Sequence, residues 1–566
     1  MNVNLAYLGH SAVREVSGHQ LLSLAPNLTR DPVAFDAALL KPLRFREAIS
    51  ALHDTVISDL RFKKRDKAAY LEWKKNEAGR DRAIRQQAYA QAMKQIETKR
   101  GVPVATELKH SYDRARKRYW GARQAYSNYL LKHDPALWRQ LMPCDPVITV
   151  TDDVVFFECF SADESSYGCL TVERDGGFGK SDNLLFGTTN VDYSWDLYHH
   201  FQTLRTYRQT RFRIDPAGFE VATNERPDYR EEKIDLPDGW LRGFMQIQAA
   251  MCTPTIARVS LSREAVYSIL AWLKRHKARA SPRAVRFELL SGKPPRVVLE
   301  PWEQAIVSYG TTYDGPNVEP IRVWGSRRLL VLARVLALAE RFDVYLPGTG
   351  LPSFWVAHLG EMRLTLGLSG WTTNDWTRGS AIDLLAPPAA PSPDLVANVA
   401  ATVRRAGAMT PRQVEQSLHV DGARVATALR ELAHSGQVIF DLAAGVVRWR
   451  QVMPKALGEA EIGPEHRELA GARQIMQRNR ADLESRQDAP DNKGTVLGGK
   501  VDGCAVEMLV DPDQRIRRGS CVCTYYRKFA LKNGPCRHML ALRWRASVGA
   551  LEAYRASGWY NRLLGR

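Results

Sequence analysis

Cys521-Val-Cys523-Thr-Tyr-Tyr-Arg-Lys-Phe-Ala-Leu-Lys-Asn-Gly-Pro-Cys536-Arg-His538 decides how this chain reads. Three thiols and one imidazole stand in a C-x-C, twelve-residue gap, C-x-H spacing. Zn²⁺ takes Cys sulfur and His nitrogen, and four protein ligands leave it no open position, which is the mark of a structural site. Cys521, Cys523, Cys536 and His538 are therefore the expected metal ligands. The ion would staple a small module together and do no chemistry, so the spacing predicts a binding protein and not an enzyme. Cys504-Ala-Val-Glu-Met-Leu-Val510 alternates as a strand does, with Arg515–Arg518 as its hairpin partner. Gly534-Pro535 turns the chain into a helix that carries the last two ligands in its first turn. Cys504 is expected to be a core residue of its strand.

Outward from the cysteines, the charge is lopsided. The chain has 566 residues, a net charge of +18 and a pI of about 9.5. Residues 512–566 hold 12 Lys/Arg against 2 acids, and residues 61–132 hold 20 against 7. Two basic blocks of this kind predict a polyanionic partner. Arg515, Arg517, Arg518, Arg527, Lys528, Arg537 and Arg543 surround the cysteines with almost no acid to balance them. Of these, Arg517, Arg518, Arg527, Lys528 and Arg537 are the expected nucleic-acid contacts. Binding by such a cluster would depend on salt and little on sequence.

A second readable unit spans 394–450. Asp394 opens one helix, Thr410-Pro-Arg-Gln413 has the residues of a capping box for a second, and Asp421 caps a third, which Gly436 ends. Val438–Phe440 and Val446–Arg450 form a hairpin. Three helices and a two-stranded wing predict a winged helix-turn-helix, with Val425, Leu429 and Leu432 facing its core. Arg424, Thr427, Arg430 and His434 would face outward, with Arg424 and Arg430 as candidate nucleic-acid contacts.

The full expectation is a multidomain α+β protein, since ~150 residues per domain gives roughly three or four domains. A mostly helical basic region fills 1–143, in which 1–60 is a mixed lead-in with a helix near 31–60 and 61–132 is a hairpin of helices broken at Gly101-Val-Pro103. Tyr112, Tyr119, Tyr126 and Tyr129 share one helix face there. A central α+β domain covers 144–385, with strands at 147–150, 154–157, 285–289, 297–299 and 321–324 and helices at 264–277 and 327–341. Ala386-Pro-Pro-Ala-Ala-Pro-Ser-Pro393 is a Pro-rich linker. A helical connector occupies 451–499, with a Gly-rich loop at Gly494–Lys500. The zinc module takes 500–566 and ends in a helix.

Several function classes are disfavoured. No run of ~18 apolar residues predicts a membrane span, and Met1-Asn-Val-Asn-Leu-Ala-Tyr does not start as a secretory signal does. Eight scattered cysteines suit free thiols in a reducing cytoplasm. Gly176-Gly-Phe-Gly179 lacks the Lys-Ser/Thr of a phosphate loop, and no G-x-S-x-G elbow is present. Asp192, Asp196 and His199 or His200 could ligate a catalytic ion, but their aromatic-rich setting suits surface and capping contacts better.

Residues from about 500 to 545 resemble the SWIM zinc finger family, whose pattern is C-x-C, a variable gap, C-x-H and an amphipathic helix. Gly-Pro-Cys536-Arg-His538-Met-Leu-Ala is similar to that family's run, whereas Thr-Tyr-Tyr after Cys523 departs from it. The resemblance implies binding to DNA or to protein, and the charge favours nucleic acid, DNA before RNA. The whole chain also resembles bacterial SWIM-finger proteins encoded beside a MoxR-type AAA ATPase and a von Willebrand A-domain protein. Leu346–Trp355 and Leu368–Trp371 carry that likeness. It implies an adaptor or scaffold role as the alternative function.

Overall fold

In a computed structural model of the chain, the described residues are 5–8, 11–16, 19–26, 31–57, 146–161, 166–191, 197–198, 201–214, 230–233, 257–369, 391–452, 467–490, 494–513, 515–531 and 534–555, with single positions between 110 and 133 and near 250. The fold is mixed α+β with several sheets. Contacts group Met1–Leu60, Pro143–Lys528 and Pro535–Arg566 into one unit, and Arg61–Met142 with Phe529–Gly534 into another. In the second unit the described positions from His110 to His133 are helical and exposed, and the Tyr129 ring lies 4.5 Å from that of His133. Tyr112, Tyr119 and Tyr126 lie outside the described residues, as do Asp192, Asp196, His199 and His200.

The first unit is built on an eight-stranded antiparallel sheet. Its order is Ala257–Ser262, Arg341–Leu346, Ser353–His358, Met362–Leu368, Ser166–Glu173, Val154–Phe160, Val147–Val150, Gly187–Asn190. Val154–Phe160 reads Val-Val-Phe-Phe-Glu-Cys-Phe and is buried throughout, because both faces of the sheet are covered. The helices Pro42–Ile57 and Arg263–Arg275 and the 3₁₀ segment Ser326–Arg334 cover one face, placing Phe45, Leu52, Val266, Ile269 and Leu332 against Phe157, Leu170 and Leu364. Ser262 caps Arg263–Arg275 by accepting from the Ala265 N–H at 3.2 Å. A five-stranded sheet and a four-stranded sheet (Gln304–Val307, Arg296–Leu299, Val285–Leu289, Val318–Val323) flank this core.

The other face receives the 393–450 module. Helices Pro393–Ala406, Pro411–Leu418 and Gly422–His434 enclose Val399, Val414, Val425 and Leu429. Thr410 and Gln413 close the capping box, at 3.1 Å and 2.8 Å. The expected hairpin gains a third strand, Ala408–Met409, which pairs with Val446–Trp449. This hairpin does not project into solvent. Ile439 and Leu442 pack with Phe160, Tyr167 and Val356 of the eight-stranded sheet. Arg448 reaches both Asp153 oxygens at 2.6 Å, and Arg450 donates to Glu158 at 3.1 Å with both side chains fully buried.

Three expectations fail. Among the described residues of the first 40 none is helical: Leu5–Leu8, Ala12–Val16, His19–Leu24 and Ala34–Leu39 are strands, and the described helix begins at Pro42. These strands are four to six residues long and carry no polar–apolar alternation to mark them. Among the described residues of the connector 451–499, only Arg467–Gln477 are helical. Ala481–Asp488 and Thr495–Val501 are strands of a four-stranded sheet with Cys504–Val510 and Ile516–Cys521. The glycines of Thr495–Val501 are required by close approach, since a Cβ on Gly499 would lie 2.1 Å from the Asp482 carbonyl and 2.8 Å from Leu542. The segment expected as a helix over 327–341 is the short 3₁₀ segment followed by a strand from Arg341. Among the described residues, no helix is long and apolar enough to cross a membrane.

Candidate metal centre and basic surface

The four predicted ligands converge. Cys521 ends the strand Ile516–Cys521, and Cys523 precedes the short helix Thr524–Phe529. Cys536 precedes the helix Arg537–Arg555, with His538 in its first turn. The four donor atoms lie within 4.8 Å of one another, and Cys521 Sγ is 3.7 Å from His538 Nδ1. A tetrahedral shell with bonds of ~2.3 Å to sulfur and ~2.0 Å to nitrogen sets donors roughly 3.5–3.8 Å apart, so small shifts close it around an ion. Cys521, Cys536 and His538 are buried and Cys523 is half-buried.

The surroundings act unequally on the three sulfurs. The Tyr526 N–H points at Cys523 Sγ at 3.4 Å, and Cys536 sits at a helix N-terminus. A hydrogen bond from Cys521 pushes the Cys536 thiol down to about 4 against the effect of burial, and the same bond followed by burial pushes Cys521 up. Burial pushes Cys523 up. One sulfur of the cluster is thus held below the usual thiol range, and a cation at the centre would lower the other two by its charge. Three sulfurs and one imidazole nitrogen form a donor set that could hold a metal ion, and the chemistry suits zinc.

Sequence reasoning missed what aims these ligands. Glu468, buried on the helix Arg467–Gln477, accepts from the Arg537 backbone N–H at 2.8 Å and from its guanidinium at 2.7 Å, which fixes the start of the ligand-bearing helix. Gly471 leaves room for that guanidinium, since a Cβ there would meet it at 2.8 Å. Asp513 is the second missed residue. It is buried and accepts from Ser281, from the Arg283 N–H at 2.8 Å and from Trp324 Nε1 at 3.1 Å, tying the hairpin of the Cys/His module to the four-stranded sheet of residues 285–323. Burial pushes the Asp513 carboxyl up, but these donors and the Arg283 charge together hold it below the usual carboxylate range. Both partners are far away in sequence, so no local signal marks them. Cys504, expected in the core, is half-buried.

The predicted cations divide. Arg517, Arg518, Arg527 and Lys528 are exposed. Arg517 also reaches Asp511 at 2.6 Å, while among the described residues no carboxylate pairs with Arg518 or Arg527. Arg537 is occupied by Glu468. On the Gly422–His434 helix, Arg424 is exposed and Arg430 is half-buried, close enough to Cys252 and His434 to bear on their charge.

No family model and no curated protein matches this chain. Among solved structures, a proliferating cellular nuclear antigen from Entamoeba histolytica is similar at 11% identity and a TM-score of 0.26, over 40% of this chain and 89% of that one. A PCNA complex from Sulfolobus tokodaii is similar at 8% identity and a TM-score of 0.28, over the same shares. Scores this low do not establish a shared fold.

His434 does not face outward as expected. It is half-buried, and burial first, then Arg473 and Arg430, push its imidazole down to about 4. The unfolded chain takes up that proton near 6.5, so the contribution of neutral His434 is present above about 6.5 and is lost as pH falls towards 4. Unfolding midpoints of wild type and His434→Gln, measured from pH 7.5 to 4.5, should converge as pH falls. Parallel curves would contradict the burial of His434.

Proposed function

We propose that this chain is a zinc-stabilised, non-enzymatic nucleic-acid-binding protein of the SWIM-finger kind. The observation that carries this is a converging Cys₃His donor set, buried at Cys521, Cys536 and His538 and half-buried at Cys523, bordered by the exposed Arg517, Arg518, Arg527 and Lys528. A full donor set leaves no position for substrate, so the ion's role is to fix the strand end and helix start that present those cations. DNA is favoured over RNA because the 393–450 module has the elements of a winged helix: three helices, and a sheet ordered Ala408–Met409, Val446–Trp449, Val438–Asp441. Its exposed Arg424 is retained as a contact. Arg430 is not, because its helix face is partly covered, and the docked hairpin cannot act as a free wing. The basic finger is therefore the principal surface, with Arg424 secondary.

The zinc-loaded protein should bind a duplex of about 30 base pairs at ~50 mM salt. Four or five phosphates neutralised by the finger and Arg424 alone would give a log–log salt slope of about −4, and any further cations in contact would steepen it. Fluorescence anisotropy over 50–200 mM salt measures this. Absence of binding at ~50 mM, or an affinity indifferent to salt, contradicts the reading.

A further inference from the structure

Between Glu264 and Glu288 the chain carries six Lys/Arg and no acid: Lys274, Arg275, Lys277, Arg279, Arg283 and Arg286. Lys274, Arg275, Lys277 and Arg279 are exposed. Both ends of their segment are fixed. At the entry, the His276 ring stacks on Trp272 with centroids 3.9 Å apart, and Arg327 donates to the Leu273 and His276 carbonyls that end the helix. At the exit, Ser281 and Arg283 are bound to Asp513 of the zinc module's hairpin. The four cations are therefore presented by a segment clamped against the module that carries Arg517 and Arg518.

We infer that Lys274, Arg275, Lys277 and Arg279 extend the finger's basic surface into one cationic tract that follows a nucleic-acid backbone past the Asp513 joint. This rests on the proposed nucleic-acid function and adds a second contact segment to it. Asp513 and Asp511, the acids at the joint, are buried beneath their own donors and do not neutralise the exposed row. Arg515 lies within reach of Arg283 there. Burial first, and then the Arg283 charge, make its guanidinium easier to discharge than usual, a strain that nearby phosphates would relieve. Arg279 is two residues from Ser281, and Arg518 is five beyond Asp513 along a chain rising ~3.3 Å per residue. From Arg279 to Arg518 the tract spans at most roughly 20–25 Å, or about six or seven base pairs, with Lys274 and Arg275 lying beyond that stretch. Separate charges spaced along an open surface match a repeating phosphate chain, not a single small anion.

The test uses the full zinc-loaded chain and a 30-base-pair duplex. Lys274→Glu, Arg275→Glu, Lys277→Glu and Arg279→Glu are combined in one variant, and Lys277→Ala with Arg279→Ala in a milder one. Thermal unfolding and zinc content of both should match wild type, since all four side chains are exposed. The fourfold variant should bind at least tenfold more weakly at 50 mM salt, with a salt slope shallower by about 2–4. The double variant should lose about threefold or more. Wild-type binding with both variants unchanged in affinity and slope overturns the inference and leaves the finger's role intact. Failure of wild type itself to bind overturns the proposed function, and the inference with it.

Discussion

Removal of the metal should melt the C-terminal module and leave the eight-stranded sheet folded. Structural zinc contributes on the order of 10–16 kcal/mol of apparent binding energy in small finger peptides at neutral pH. The metal-free cluster holds three sulfurs and an imidazole within 4.8 Å of one another with no cation to share. Some of the module's stability is independent of the ion, because Val506, Met508 and Val510 pack in the same small unit as Met539, Leu542 and Trp544. An ion held by Cys521, Cys523, Cys536 and His538 would lock the end of the strand Ile516–Cys521 to the start of the helix Arg537–Arg555. Chelation, or Cys536→Ser, should therefore raise amide hydrogen exchange across 504–521 and 537–546 by a hundredfold or more. Exchange across 154–160, 166–173 and 353–368 should stay slow, since those strands draw their burial from elements before residue 452. Unchanged protection of 504–521 in zinc-free protein would show that the cluster is not a structural metal site.

The second large effect concerns the buried pair that docks the 393–450 module. Arg450 and Glu158 have no exposed side-chain surface, and the Tyr167 hydroxyl donates to the same Glu158 oxygen at 2.7 Å. Arg450→Met should cost about 3–5 kcal/mol, because it leaves a carboxylate buried without its counter-charge. Arg450→Met combined with Glu158→Met should recover most of that loss. Burial pushes the Glu158 carboxyl up even with Arg450 present. In the single variant that shift grows, so its stability should be greater below the raised value and fall as pH rises through it. Urea unfolding of the four proteins at pH 5 and pH 8 tests the cycle. A double variant no more stable than Arg450→Met would mean that the pair is not the source of the docking energy.

What could be read from the sequence was local. Thr410 with Gln413, the Asp421 cap and Gly436 fix the helices of 393–434 because each signal lies within one turn of the element it sets. The metal ligands were legible for the same reason: two short motifs separated by twelve residues bring their donors together through a hairpin and a helix start. The errors arose where tertiary contacts decide. Gly498 and Gly499 suggest a loop, yet they are strand residues crowded by Ser485, Asp482 and Leu542. The periodicity of Gly422–His434 shows which face meets its own core but not that Arg473 of a later helix lies beside His434. Arg450 and Glu158 stand 292 residues apart, and Arg537 and Glu468 stand 69 apart. The cations of 274–283 were hidden because the stretches outside the two basic blocks are slightly acidic in sum.

One measurement bears most directly on the link between the metal centre and the basic surface. Binding to a 30-base-pair duplex at ~50 mM salt is compared for zinc-loaded protein, chelated protein and chelated protein with zinc restored. Metal content is determined on each sample. The predicted result is one zinc per chain with salt-sensitive binding, a loss of at least tenfold on chelation, and recovery when zinc returns. Equal affinity with and without the metal, or a chain that binds no zinc, would contradict it.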